Sequence, residues 1–115
     1  MAFQQTVTVS GLNKTYSISD KCKKYTLRDN GFEETKAGNF QLQRSLDVIG
    51  AEKKNFKLKI TVSKDLKELK ISTTTGNGLN AVDLYKLKNN EMIIEKFEFT
   101  LDGLVDRDVL VEVNN

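Results

Sequence analysis

The stretch Phe56-Lys57-Leu58-Lys59-Ile60-Thr61-Val62 decides the fold class of this chain. Apolar residues occupy every second position, which is the period of a strand that buries one face. Phe56 shares the apolar face with Leu58, Ile60 and Val62, so we expect its ring in the core. Lys57 and Lys59 then lie on the opposite face. A strand of this kind is typical of an antiparallel sheet whose second face meets water.

The same alternation continues in both directions and predicts a series of hairpins. The further predicted strands are 3–9, 15–18, 32–36, 40–47, 69–73 and 109–113, with 81–87 as an additional return strand. Short glycine-containing turns join the first four of these in pairs. The sheet should therefore be mainly antiparallel.

Two segments have helical signals instead. Ser19-Asp20 resembles an N-cap and predicts a helix from Lys21 to Arg28 or Asp29, which Asn30-Gly31 ends. Apolar residues spaced three and four apart predict a second helix from Asn90 to about Arg107. We therefore expect residues 1–115 to form one α+β domain, with both helices packed on one face of the sheet.

Composition excludes several kinds of chemistry. The chain has no histidine and one cysteine, so it has no Ser–His or Cys–His nucleophile pair, no histidine metal site and no intramolecular disulfide. We expect no catalytic constellation, no metal and no cofactor. No apolar run approaches the roughly 20 residues that span a bilayer, and the N-terminus does not resemble a signal peptide. The expected location is the cytoplasm, away from membranes.

Cys22 is the one candidate nucleophile. It lies between Lys21 and Lys23 in the first turn of the first predicted helix, where the helix dipole and the lysines would favour a reactive thiolate. The alternative is a small buried side chain on the inner face of the helix, and we prefer it because free cysteine is among the most buried residue types.

A candidate interaction surface follows this helix. Tyr25, Arg28, Asp29 and Glu33 cluster around one glycine turn, and Arg28 could bind an anion there. The alternative is a helix end with surface ion pairs, which we favour. Lys57 and Lys59 extend the candidate surface onto the exposed face of the sheet.

Nucleic-acid binding is a second interpretation of the lysines between positions 53 and 70. Bases would need exposed aromatic rings on which to stack, but Phe56 lies on the predicted core face. A solvated lysine face that discourages strand-edge aggregation explains the same pattern. Gly76-Asn77-Gly78 lacks the remaining residues of a phosphate-binding loop and is interpreted as a turn.

Several of these segments together resemble a known family. They are Tyr25-Thr26-Leu27-Arg28-Asp29-Asn30-Gly31-Phe32-Glu33-Glu34-Thr35-Lys36, Gly38-Asn39-Phe40, the strand 56–62, and Glu95-Lys96-Phe97 with Leu101-Asp102-Gly103-Leu104-Val105. In this combination the chain resembles, over nearly its whole length, domain of unknown function family 1831, uncharacterised proteins of lactic-acid bacteria and their relatives.

The resemblance implies a fold like that of the TATA-binding protein, a curved antiparallel sheet with helices on one side. Some family members carry names that link them to cysteine desulfurase by association. A chain of 115 residues cannot hold that enzyme, which needs a pyridoxal-phosphate lysine on a much larger fold. The leading hypothesis is a non-catalytic module that binds a protein, with a cysteine desulfurase as candidate partner. Nucleic-acid binding, a sulfur relay through Cys22 and a homodimer stay open.

Overall fold

A computed structural model describes residues 3–9, 11–46, 56–75, 80–87 and 90–113. The strands are β1 (Thr6–Val9), β2 (Lys14–Ile18), β3 (Glu33–Glu34), β4 (Phe40–Ser45), β5 (Phe56–Val62), β6 (Leu69–Thr75) and β7 (Leu110–Val113). The helices are α1 (Lys24–Asp29), α2 (Glu91–Asp106) and a single 3₁₀ turn at Leu84–Lys86. The predicted α+β class is confirmed.

The strands form two antiparallel sheets, ordered β1-β2-β7 and β3-β4-β5-β6. The prediction of one sheet is therefore wrong. Among the described residues, the sheets meet at their edges through one residue pair: the Gln4 N–H donates to the Leu69 carbonyl at 3.1 Å, and the Leu69 N–H donates to the Gln4 carbonyl at 2.8 Å. Beyond this pair β1 and β6 do not form a ladder, so the second sheet begins there.

The predicted hairpins are confirmed, with β3 shorter than expected. Lys59 of β5 lies opposite Gln43 of β4 and Ser72 of β6, and this register places all three side chains on one polar face. Leu58 and Ile60 are fully buried on the other face. The period-two pattern thus separates a core face from a polar outer face on the four-stranded sheet.

The first helix begins later than predicted. The Ser19 hydroxyl accepts a hydrogen bond from the Lys21 N–H at 3.1 Å, which forms a local turn in place of an N-cap. Helix α1 starts only at Lys24, and the Thr26 hydroxyl accepts from the Lys23 N–H at 3.1 Å. Short side-chain oxygens often compete with the helix in this way. Cys22 therefore lies before α1 and outside its first turn.

The predicted strand at 81–87 is also wrong. Ala81 forms an isolated bridge with Thr74, and the chain then enters the 3₁₀ turn. The Asp83 carboxylate accepts from the Tyr85 N–H at 3.0 Å and starts this turn. The backbone therefore leaves the sheet edge after one bridge.

Both helices lie on the core side of the sheets, as predicted. Helix α2 buries Phe97, Leu101 and Leu104, which join Leu27 of α1 and the inward residues of both sheets in one core. No helix in the part of the chain that the structure describes is long and apolar enough to cross a membrane.

Candidate functional site

The outer face of the four-stranded sheet carries three of the predicted surface residues. Lys57, opposite Ser45 and Thr74, lies on the same face as Lys59. Glu33 pairs with Gln41 and reaches this face from the edge strand β3. Since both helices pack on the other side, these side chains border solvent. Their positions follow directly from strand alternation.

A polar depression of about 490 Å³ lies at one end of this outer face. It is lined by Gly31, Glu33, Glu34, Thr35, Lys36, Gln41 and Gln43. The Gln43 side-chain amide donates to the Gln41 side chain at 3.1 Å. A partner surface could exchange hydrogen bonds with these amides and the Glu33 carboxylate.

The other three predicted surface residues lie elsewhere. Arg28 contacts Glu34 at 3.5 Å and lies 6.0 Å from the centre of the Phe40 ring. Glu34 and Phe40 are register partners on the core side of the sheet, so α1, with Tyr25 and Asp29, also lies there. The six predicted residues therefore form two separate groups.

Arg28 already binds a carboxylate of its own chain, which fits the interpretation as a helix end with a surface ion pair. Both side chains are more than half exposed, at 62% and 52%. Pairs this exposed contribute little to stability because water screens them. Tyr25 is 66% exposed, a large apolar ring at the surface of α1.

Cys22 is buried, with 4% of its surface exposed. It adjoins a polar cleft of about 540 Å³ that also contains Lys23 and Lys67. Burial raises the pKa of the thiol to about 11 and outweighs the opposing effect of Lys23. At neutral pH the side chain is a thiol, as the alternative interpretation of a buried apolar residue requires.

The lysine segment provides no stacking platform in the described residues. Phe56 is 6% exposed and faces the core, as predicted. Lys70 lies 4.6 Å from the centre of the Phe3 ring, which it covers in part. Lys53 and Lys54 lie outside the described residues.

An apolar cavity of about 370 Å³, which was not predicted from the sequence, lies where β1 and β6 separate. It is lined by Val7, Thr8, Val9, Ile71, Thr73, Ala81, Val82, Asp83, Leu84, Tyr85 and Phe97. These residues belong to four separate segments of the chain. The alternating and helical patterns mark most of them only as core.

Tyr85 forms one wall of this cavity and is held from three sides. Its hydroxyl donates to the Glu98 carboxylate at 2.9 Å, and its ring meets Phe97 edge to face with 6.3 Å between centres. The ring also lies against the backbone at Gly11. Burial and the adjacent carboxylate raise the pKa of this phenol.

No cluster of three potential metal ligands occurs among the residues with described positions. The sequence also lacks histidine, so the outer face and the apolar cavity are candidate binding sites without a histidine ligand.

Comparisons with known proteins agree with the family resemblance. The profile of DUF1831, a family whose description proposes a role in amino acid metabolism, matches residues 1–111. The chain is also similar to a DUF1831 family protein from Lactobacillus plantarum, known from its crystal structure. The two are 38% identical, the match covers 98% of this chain and 99% of the other, and the TM-score is 0.85. No curated protein matches the chain.

Proposed function

The chain belongs to the DUF1831 family, and from that premise we propose that it is a non-catalytic module that binds a protein partner through the outer face of its four-stranded sheet. The observation that carries the proposal is the side on which the helices lie. Because both pack against the core side, the outer face keeps Glu33 exposed and Lys57 and Lys59 half-buried.

The charge of this face indicates the chemistry of the partner. By strand register, Lys57, Lys59 and Lys70 share it with the Glu33 carboxylate, and Glu34 lines the depression at its end. Complementary charge accelerates association and selects partners more than it adds affinity. The partner should therefore present an acidic surface.

A cysteine desulfurase is the candidate partner. The support for it is family membership, since the names of some members connect them with that enzyme and the family description proposes amino acid metabolism. A desulfurase acts on an amino acid, so a module that binds it would belong to the same area of metabolism. The chain would contribute binding, with the chemistry performed by the enzyme.

The test is complex formation between the purified chain and the purified desulfurase of the same organism, measured by size-exclusion chromatography with light scattering. We expect a complex that weakens as salt is raised and that the double variant Lys57→Glu/Lys59→Glu abolishes. The matched control is Lys24→Glu/Lys86→Glu, which changes net charge equally at two exposed lysines outside this face. A chain that stays monomeric beside the enzyme at low salt contradicts the proposal.

Nucleic-acid binding has weaker support. Its basis is the lysine face and the analogy with the TATA-binding-protein fold, which is an associational argument. The aromatic residues of β4 and β5, Phe40 and Phe56, are turned to the core. Phosphate contacts predict binding that falls steeply with salt, so absence of binding to DNA and RNA at low salt removes this alternative.

The sulfur relay has the weakest support. A relay needs an accessible thiolate, whereas the Cys22 thiol is buried and its pKa is raised to about 11. A second copy of the chain remains a further candidate partner, and the same light-scattering experiment measures it directly.

A further inference from the structure

The apolar cavity is a gap between two strand edges. The outward edge of β6 bonds to Gln4 at Leu69, and near its other end the Thr73 carbonyl accepts from the Val82 N–H at 2.9 Å. Between these two contacts lies Ile71, which lines the cavity. Because both ends of this edge are occupied, an added peptide strand has no room to pair along it.

The size of the gap instead suits a small molecule. Its volume of about 370 Å³ lies in the range of roughly 300–1,000 Å³ that is usual for small-ligand sites. Ala81 and Asp83, at the rim, are both exposed, so a ligand can enter from solvent. The interior is apolar, and its walls are Val7, Val9, Ile71, Val82, Leu84 and Phe97.

The polar groups of the lining decide which ligand fits. The Thr8 hydroxyl is engaged with Thr15 at 2.8 Å, and the Thr73 hydroxyl donates to the Val82 carbonyl. Asp83 is the one charged residue among the described lining residues. Its Oδ1 accepts from the Tyr85 N–H, and a carboxylate retains further lone pairs for a second donor.

From this arrangement we propose that the cavity binds a small primary amine, with its apolar body between β1 and β6 and its ammonium group at Asp83. A free amino acid is disfavoured because its carboxylate would meet no cation among the described lining residues. The site is distinct from the outer face, since Ile71 and Thr73 point to the core side of β6. A negative result for amine binding in the cavity therefore leaves the proposal of a protein-binding outer face unaffected, and the reverse also holds.

The test is a titration followed by methyl NMR, with the methyl groups of Val7, Val9, Ile71 and Val82 as reporters. The probes are phenethylamine, 3-phenylpropionate and L-phenylalanine, which share a phenyl group and differ in charged groups. We expect phenethylamine to shift these methyl signals with a Kd on the order of 1 mM, as for a ligand of its size. It should bind about 10-fold more tightly than the other two, as one charge-assisted hydrogen bond allows.

Asp83→Asn tests the role of the carboxylate. Asparagine can also cap the 3₁₀ turn, so this variant should keep the fold. We expect the preference for the amine to fall below about 3-fold, the remainder expected of a neutral acceptor. Asp106→Asn, at the exposed end of α2, should leave the preference unchanged.

Three results would overturn the proposal. The first is the absence of cavity methyl shifts with phenethylamine up to its solubility limit. The second is equal binding of the carboxylate or the amino acid, which would remove the selection for an amine. The third is an unchanged preference in Asp83→Asn.

Discussion

Replacing Gly11 by alanine should destabilise the protein through two separate effects at one position. Gly11 lies in the turn between β1 and β2 with φ +92°, a conformation that L-residues rarely adopt. An added Cβ would lie 2.5 Å from Cγ of Tyr85 and 2.7 Å from its Cδ2. The ring must move by about 1 Å to restore van der Waals contact.

The expected loss follows from what the Tyr85 ring contacts. The positive φ costs alanine about 1–2 kcal/mol. Moving the ring strains its hydrogen bond to Glu98, worth about 1–2 kcal/mol, and its edge-to-face contact with Phe97, worth about 0.5–1.5 kcal/mol. We therefore expect Gly11→Ala to lower the free energy of unfolding by about 3–5 kcal/mol.

Gly38 provides the matched control. It also has a positive φ, +89°, but a Cβ there would meet only Lys64 side-chain carbons, at 3.7 Å or more. Gly38→Ala should therefore lower the free energy of unfolding only by the about 1–2 kcal/mol that the positive φ costs alanine. The assay is urea unfolding of both variants and the parent, followed by far-UV circular dichroism.

A double-mutant cycle isolates the contribution of the ring. In a Tyr85→Ala background, Gly11→Ala should cost no more than Gly38→Ala, because the obstructing ring is gone. If Gly11→Ala is as mild as Gly38→Ala in the parent protein, the ring is not held against Gly11 and the reasoning is wrong.

Three further predictions concern the buried residues. Cys22 should react with a thiol probe about 100-fold more slowly at pH 8 than a thiol of pKa 9.0, since its pKa is raised to about 11. The control is the same reaction with the urea-unfolded chain. Fast labelling of the folded protein without denaturant would contradict the burial of Cys22. Burial, followed by Asp102, Glu112 and Glu98, raises the pKa of Tyr16 to about 12 from 10.0. The pKa of Tyr16 is higher in the folded than in the unfolded chain, so its protonated phenol stabilises the fold by on the order of 2 kcal/mol. This stabilisation is complete below pH 10 and is lost as pH rises through 12. Urea unfolding at several pH values should show that loss. Tyr16→Phe should show a smaller loss, and the remainder should come from Tyr85 and Cys22, whose pKa values are also raised in the folded state. Leu101 is fully buried in α2, and Leu101→Ala should lower the free energy of unfolding by about 2–5 kcal/mol. Phe99 is 76% exposed, and Phe99→Ala should change that free energy by less than about 0.5 kcal/mol. If urea unfolding gives equal losses for both variants, the buried face of α2 is assigned incorrectly.

The local pattern of apolar residues was sufficient to predict the strands and helices that bury one face. Strand β5 and helix α2 were predicted within a residue or two because burial on one face imposes a period on the sequence. The same alternation separated Lys57 and Lys59 from the core and placed them correctly on an outer face. The turn predicted at Gly76-Asn77-Gly78 lies outside the described residues.

The errors occurred where a distant or competing contact decides the backbone. The segment 81–87 has apolar residues that suit a strand, but Asp83 starts a 3₁₀ turn once Val82 has bonded to Thr73. Helix α1 starts late because the Ser19 hydroxyl forms its own turn with Lys21. The six residues of the candidate surface form two groups because α1 packs on the core side of β4, whereas Lys57 and Lys59 lie on the outer face of β5.

The amino-acid sequence alone determined the α+β class, the family resemblance, the placement of Lys57 and Lys59 opposite the core face and the absence of histidine chemistry, since each depends on composition or on spacing along the chain. Tertiary structure decided the division into two sheets, the burial of Cys22 and the cavity beside Asp83. Each of these depends on contacts between segments tens of residues apart, such as Gln4 with Leu69 and Tyr85 with Gly11. Such contacts produce no repeating pattern of apolar residues, because the residue type at one position does not specify which distant segment packs against it.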